Sequence, residues 1–454
     1  MATTLATPGV YIEEKSSFGS SVVPVQTAIP AFIGYTSKAS RGSKDLTNVP
    51  TRISSLGQFE ELFGGAPTTK FNIESDDSAV GFKLSFVEDS KFLLHSSMRL
   101  FYANGGADCY IVSVGGYDEK IDAAKLNDPK GGGLTALEKF LEPTIIVIPD
   151  AILLDENDCY SLQAAMLQHC GYKLKNRFAI LDVYEGAKER TFDDDDAIDK
   201  FRNGVGSNFL QWGASYYPFL NTTIVSKSEI DFTRIANLDG LSEVLSKEVA
   251  ENLEADNITA ARAEGITAEI DKIPDTTEAD AVNSLNSTLT VISPSLNLIL
   301  AEVSEMLNVL PPSPAMAGAY AMVDNQASVA QSPANISLGS VIAPVVNINN
   351  DNQEELNLPL NGKAVNAIRT FQGKGVLVWG ARTLEGNSKD YRYVSVRRTM
   401  TFLEQSIKAA AEAFVFAPNN ATTWSTLRAT VSSFLTNQWQ SGLLAGQSAD
   451  DAFT

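Results

Sequence analysis

The chain has 454 residues, 44% of them hydrophobic, which is enough for two or three domains around sizeable buried cores. Its formal charge of −20 surrounds it with a negative field, which disfavours nucleic acid and anionic lipid as partners. No run reaches the roughly 20 apolar residues of a membrane span, and the best, Leu296 to Leu310, is broken by Glu302 and Glu305, so no membrane insertion is expected.

The first residues, Met1 to Val10, lack a basic stretch followed by an apolar one, so synthesis in the cytoplasm without a signal peptide is expected. Residues 1–28 carry Pro8, Gly9, Pro24 and a Ser/Gly stretch, and read as an extended arm. Within it Val10, Tyr11 and Ile12 form a short β-prone run that needs a partner strand from elsewhere. From residue 29 to about 225 strand and helix patterns alternate: Ala31 to Ile33, the helix Leu56 to Phe63, a helix ending at Ala103, and the strand Cys109 to Val114. The helices Leu134 to Leu141 and Cys159 to Cys170 precede the strands Thr144 to Ile148 and Phe178 to Leu181. Repeated helix-then-strand units predict an α/β, or mixed α+β, fold with a partly parallel sheet.

Residues 226–310 are rich in Ala, Glu, Leu, Asn and Thr and read as a surface helical insertion. Leu241, Val244, Leu245 and Val249 form one apolar stripe, and Leu296, Leu300, Val303 and Leu307 another. Pro311 and Pro312 end it, and residues 311–358 read as an irregular connection. Residues 359–454 form a last domain, with strands Val365 to Phe371, Gly375 to Trp379 and Tyr391 to Val396. A helix follows through Leu403, and another is capped by Thr422 or Thr423, with the apolar stripe Trp424, Leu427, Val431, Leu435 and Trp439.

The chain is poor in catalytic constellations. Only His95 and His169 are available, and His169 next to Cys170 points about 100° away on a helix, which predicts a core thiol beside a semi-exposed histidine. Cys109, Cys159 and Cys170 form neither an even set nor a C-x-x-C pair and are expected as buried thiols. Gly204-Val205-Gly206 and Gly373-Lys374-Gly375 lack the rest of a phosphate-binding loop and read as turns. The run Asp193 to Asp196 lacks calcium-loop spacing and reads as a solvated acidic loop. Asp150 and Asp182 stand at the ends of expected parallel strands, where α/β enzymes place catalytic groups, and are the residues an enzyme reading would use. No catalytic, cofactor or metal site is assigned. A β-prone arm without a partner instead suggests an assembling protein.

Several ordered blocks resemble the contractile tail sheath family of contractile-tailed phages, R-type pyocins and extracellular contractile injection systems. They are Pro8 to Glu14, Thr27 to Gly34, Phe101 to Gly106, Val376 to Leu384, Tyr391 to Arg398 and Trp439 to Gly446. The resemblance implies a multidomain sheath subunit that polymerises as stacked hexameric rings around an inner tube and contracts to drive that tube through a target envelope. Its implied partners are copies of itself, the tube protein, baseplate and terminal cap proteins, and paralogous sheath subunits; the particle would leave the cytoplasm on release. Val10, Tyr11 and Ile12 would link neighbouring subunits by β-augmentation. Arg392, Arg397 and Arg398 stand out in an acidic chain as candidate assembly or tube contacts, against local ion pairs as the plain alternative. The family also implies further strands beyond Phe453, where this sequence stops at Thr454. An extracellular injection system is preferred on the stretch Val22 to Lys38, with a phage tail sheath as the alternative. A surface adhesin or shell protein and an enzyme using Asp150 or Asp182 are the more distant readings.

Overall fold

The computed structural model describes residues 22–76 and 81–454. The arm residues Val10, Tyr11 and Ile12 lie outside the described residues. The described residues divide into two compact units: residues 26–401 form the larger, and 402–454 together with 22–25 form the smaller. The boundary expected at residue 359 therefore falls at 402, because the strands after 359 pair into the larger unit's sheet.

That sheet has nine strands: β1 (Pro30–Gly34), β2 (Thr51–Ile53), β3 (Cys109–Ser113), β4 (Ile145–Val147), β5 (Phe178–Asp182), β6 (Gly213–Tyr217), β7 (Ile336–Ser337), β8 (Asn366–Phe371) and β9 (Gly375–Val378). Their spatial order is β7-β9-β8-β6-β5-β4-β1-β3-β2. In that order the six from β8 to β3 run parallel, and antiparallel strands close both edges. β1, β3, β4, β5 and β6 are buried at every position, as strands covered on both faces must be, which explains why they read as continuous apolar runs. Alternate side chains feed two cores. Ala31, Ile33 and Val112 meet Leu162 and Met166 of the helix Glu156–Gln168 and Phe201 of the helix Ala197–Gly204. Phe32 and Ile111 meet Met98 and Phe101 of the helix Leu94–Ala103, and Ala317 and Tyr320 of the helix Ser313–Gln326.

The helix Ser313–Gln326 corrects the expectation of an irregular connection over 311–358. Pro311 and Pro312 end the insertion just before it, and Pro314 lies in its first turn, where the missing N–H has no intrahelical acceptor to lose. Ten of its residues are buried, most of them small, so its backbone approaches its neighbour closely. At Gly318 a Cβ would lie 2.5 Å from the Phe101 carbonyl oxygen. The same region holds a second helix, Asn350–Asn357, capped by Asn349.

The helical insertion holds four main helices, Leu238–Glu254, Ala260–Ile270, Ala279–Ile292 and Pro294–Asn308. Leu241, Val244, Leu245 and Val249 are all buried, as the stripe predicts; in the last helix Leu296 and Val303 are buried with Ile299, while Leu300 and Leu307 are half-buried. The core they build is not theirs alone. It includes Phe71, Ile73, Phe82 and Leu84 from the hairpin Phe71–Ser75/Phe82–Phe86, more than 140 residues earlier. Asn237 joins the two pieces, accepting from the Ile73 N–H at 2.9 Å and donating to its carbonyl at 2.7 Å.

Two local readings also change. Residues 391–393 make a single bridge, Arg382 to Tyr393, before the helix Val394–Ala411, where a strand to Val396 was expected. The helix Ala421–Gln440 is capped by Asn420, whose Oδ1 accepts from the Thr423 N–H at 3.0 Å, not by a threonine. Its buried side chains are Thr430 and Phe434; Leu427, Val431, Leu435 and Trp439 are half-buried and Trp424 is exposed. In this smaller unit Phe434 meets Phe402, with ring centroids 6.2 Å apart, and the Val25 N–H donates to Ser406 Oγ at 3.1 Å.

Gly318→Ala should lower the melting temperature, since overpacking of about 1–3 kcal/mol outweighs the helix-propensity gain of about 1 kcal/mol. Gly265→Ala, at an exposed helix position with open space around it, should raise it by that propensity alone. Thermal unfolding by circular dichroism reads both, and a stabilised Gly318→Ala would contradict the close helix contact.

Candidate functional site

Asp150 and Asp182 occupy the carboxyl ends of the parallel strands, as expected, and both are buried. Asp150 follows β4. Its Oδ2 accepts from the Tyr35 N–H at 3.0 Å and its Oδ1 from the Leu93 N–H at 2.7 Å. Leu93 opens the helix Leu94–Ala103 and brings no capping side chain, so the aspartate supplies the acceptor from across the fold. Gly34 leaves it the room, since a Cβ there would collide with Oδ2. Asp182 ends β5 and does the same for Ser313, whose N–H donates to Oδ1 at 2.8 Å and whose hydroxyl bonds Oδ2. Burial raises the Asp150 carboxyl to about 6, with the Leu93 and Tyr35 amides pulling it down, and raises Asp182 to about 7 against the Ser313 hydrogen bonds. Both carboxylates are committed to helix starts.

The histidines are equally interior. His169 is buried with Nε2 3.2 Å from the Arg177 guanidinium, and burial, then that cation, lowers it to about 3, where a semi-exposed ring was expected. His95 is buried as well, and its lowered pKa comes first from burial and then from Arg99. Cys109, Cys159 and Cys170 are free and buried.

The acidic run divides. Asp193, Asp194 and Asp195 are exposed, but Asp196 is wholly buried, caps the helix Ala197–Gly204 and pairs with Arg190 at 2.7 Å. Arg190 also reaches Glu355 at 2.6 Å, and Arg202 meets the same carboxylate. This buried network, spanning more than 150 residues of chain, was not legible as a cluster because its members are scattered in sequence.

Arg398 belongs to the interior. It donates to both Asp324 oxygens at 2.9 and 2.5 Å and to the Thr27 carbonyl at 2.9 Å, and lies over the Tyr320 ring, whose hydroxyl meets that of Tyr216 at 2.8 Å. Arg397 is buried between Trp212 and Tyr391, 4.3 and 4.5 Å from the ring centroids. Arg392 is half-buried, with Nε on the Ser388 carbonyl at 2.8 Å and its own carbonyl accepting from Thr383 N–H. In the single chain Arg397 and Arg398 thus turn inward and hold the block Tyr391 to Arg398 against the sheet.

The two aspartates should respond differently to amidation. Asp182→Asn keeps an acceptor for the Ser313 N–H and gains a donor for its hydroxyl, whereas Asp150→Asn turns an amide group toward a backbone N–H. Asp150→Asn should therefore cost about 2 kcal/mol or more, and Asp182→Asn little or nothing at pH 8. Since both carboxyls sit above their ordinary value of about 3.9, their contribution to stability is present below about pH 4 and is lost as pH rises through about 6 and 7. Denaturant titrations of Asp182→Asn across pH 4–8 should show a shallower decline than the parent; an unchanged slope would contradict the burial cost assigned to Asp182.

Residues 387–454 match the phage tail sheath C-terminal domain family. No curated protein sequence matches the chain. Among solved structures, the PVC sheath complex of an extracellular contractile injection system in the contracted state is 25% identical with a TM-score of 0.55, covering 99% of this chain and 86% of that one. The anti-feeding prophage (AFP) helical sheath in the contracted state is 25% identical with a TM-score of 0.57, covering 99% and 88%. A chain of the contracted AFP baseplate is 23% identical, with a TM-score of 0.63 and coverage of 99% and 89%, a likeness of fold. The C-terminal segment is thus a match to the phage tail sheath C-terminal domain, and the whole chain has the mixed α/β, multidomain fold of the contractile injection system sheaths to which it is similar.

Proposed function

We propose that this chain is the structural sheath subunit of an extracellular contractile injection system. It polymerises as stacked hexameric rings around an inner tube and contracts to drive the tube through a target envelope. The observation that carries this is the near-complete coverage of the chain by contracted-state sheath structures at 25% identity. The match of residues 387–454 to a phage tail sheath domain keeps a contractile phage tail as the second reading. The burial of Asp150 and Asp182 on helix starts favours a non-enzymatic role over catalysis by either.

In this reading a heterologous contact whose rotation does not close builds the helix, and a barrier holds the extended state until contraction. Tube, baseplate and cap proteins, and paralogous sheath subunits, are the other partners. Residues 226–310 face outward with the hairpin that shares their core, and the C-terminal region faces the tube. The arm residues Val10, Tyr11 and Ile12 add as a strand to a neighbouring subunit, each main-chain bond contributing about 1 kcal/mol.

Electron microscopy of the purified chain should show long tubes of hexameric cross-section; a discrete particle would sink the sheath reading. Ile12→Pro removes a ladder donor and should give soluble, normally melting subunits with few long tubes, while Ile12→Val assembles. Replacing 226–308 alone by a Gly/Ser linker exposes Phe71, Ile73, Phe82 and Leu84 and should aggregate. Removing the hairpin residues 70–87 as well should restore soluble subunits that still form tubes, and loss of tubes from that double deletion would place the module at a subunit contact.

A further inference from the structure

Copies of a chain carrying −20 repel one another, and at physiological salt the field decays over about 8 Å, so side-by-side packing needs a local cationic surface on one copy facing carboxylates on the next. One surface of the larger unit has that character. At the carboxyl ends of β1 and β3 a cleft of about 590 Å³ is lined by Lys38, Lys125 and Lys130 beside the polar side chains of Thr36, Thr47 and Asn48. Lys125 is occupied by Glu119 at 2.8 Å, and Asp128 is the other carboxylate in the lining. Lys38 and Lys130 are exposed and form no ion pair among the described residues.

A hairpin rises from the rim of this cleft. Ala39 and Thr47, which line the cleft, flank its base, closed by the Leu46 N–H donating to the Ala39 carbonyl at 2.9 Å; Gly42, at φ 61°, makes its turn. The strands are two residues each, Ser40–Arg41 and Lys44–Asp45, and Arg41 is directly opposite Lys44. Like charges in that register repel, and a two-stranded ribbon this short has little stability to offset it. Both cations are exposed and form no ion pair among the described residues, while the exposed Asp45 accepts from the Thr47 N–H and hydroxyl at 2.9 and 2.8 Å. The two cations thus face each other across the hairpin without an ion pair to either among the described residues.

We infer that the hairpin cations Arg41 and Lys44, with Lys38 and Lys130 of the adjoining cleft, form the docking surface for an acidic segment of a second copy of this chain. The inference rests on the sheath reading and names the surface through which its acidic subunits meet. The occupant is another copy because charge complementarity favours it: 55 carboxylates against 35 cationic side chains make every copy a source of exposed acidic segments. A surface of this kind acts chiefly on the rate and salt dependence of association.

The test reverses charge without touching the core. A Lys38→Glu/Arg41→Glu/Lys44→Glu chain is compared with Lys227→Glu/Lys247→Glu/Arg262→Glu, which makes the same change in net charge at exposed positions of the helical insertion. Tube yield is read by microscopy, folding by melting temperature, and contacts by carbodiimide cross-linking of tubes grown from mixed light and heavy isotope chains. The first variant should melt like the parent and lose tube yield on the order of tenfold, and the second should assemble near parent level. In parent tubes Lys38, Lys44 or Lys130 should cross-link to Asp or Glu of differently labelled copies. Equal tube yield from both variants, or cross-links from these lysines only within one copy or only to a tube protein, would overturn the inference while leaving the sheath reading standing. A parent chain that forms no tubes would overturn the sheath reading itself.

Discussion

A carboxylate buried at the end of a parallel strand is expensive, and this fold places two there, each where a helix starts without a cap of its own. Asp150 receives the amides of Tyr35 and Leu93, and Asp182 receives Ser313. A helix start carries unsatisfied N–H groups and the positive end of a dipole, so each aspartate offsets a cost that another element would otherwise bear. The two helices fixed in this way, Leu94–Ala103 and Ser313–Gln326, lie on the same face of the sheet and against each other, so the rest of that face depends on their placement.

Their contact is close because the second helix is rich in alanine and glycine, and its far side is locked by charge. Asp324, near the end of Ser313–Gln326, holds Arg398, which also binds the Thr27 carbonyl. One buried arginine thereby connects the entry to β1, the central helix and the start of the helix Val394–Ala411. Removing either partner would leave the other charge stranded in the interior, at a cost of about 3–5 kcal/mol.

The exposed surface is where the chain is least neutral. The three exposed carboxylates Asp193 to Asp195 and the acidic helical module contrast with the cation-rich hairpin at Arg41 and Lys44. The smaller unit also exposes apolar side chains at Val415, Phe416 and Trp424. A helix whose apolar stripe remains half-exposed in the single chain is consistent with a unit completed by assembly.

By itself the sequence determined the alternation that makes an α/β sheet, the apolar strands, the stripe of Leu241, Val244, Leu245 and Val249, and the ordered blocks that resemble sheath proteins. These are local or periodic properties, written into spacings of two, three and four residues. Tertiary structure alone decided that the proline-rich stretch after Leu310 is a buried helix, because Pro314 is harmless only in a first turn. It also decided that a hairpin at 71–86 completes the core of an insertion that begins more than 140 residues later, and that Arg397 and Arg398 face inward. The aspartates show the division best: their position after parallel strands was legible, but their partners, 57 residues away for Leu93 and 131 for Ser313, were not. Which amide or cation meets a carboxylate is set by how the chain packs in three dimensions, and no spacing along the chain carries that information.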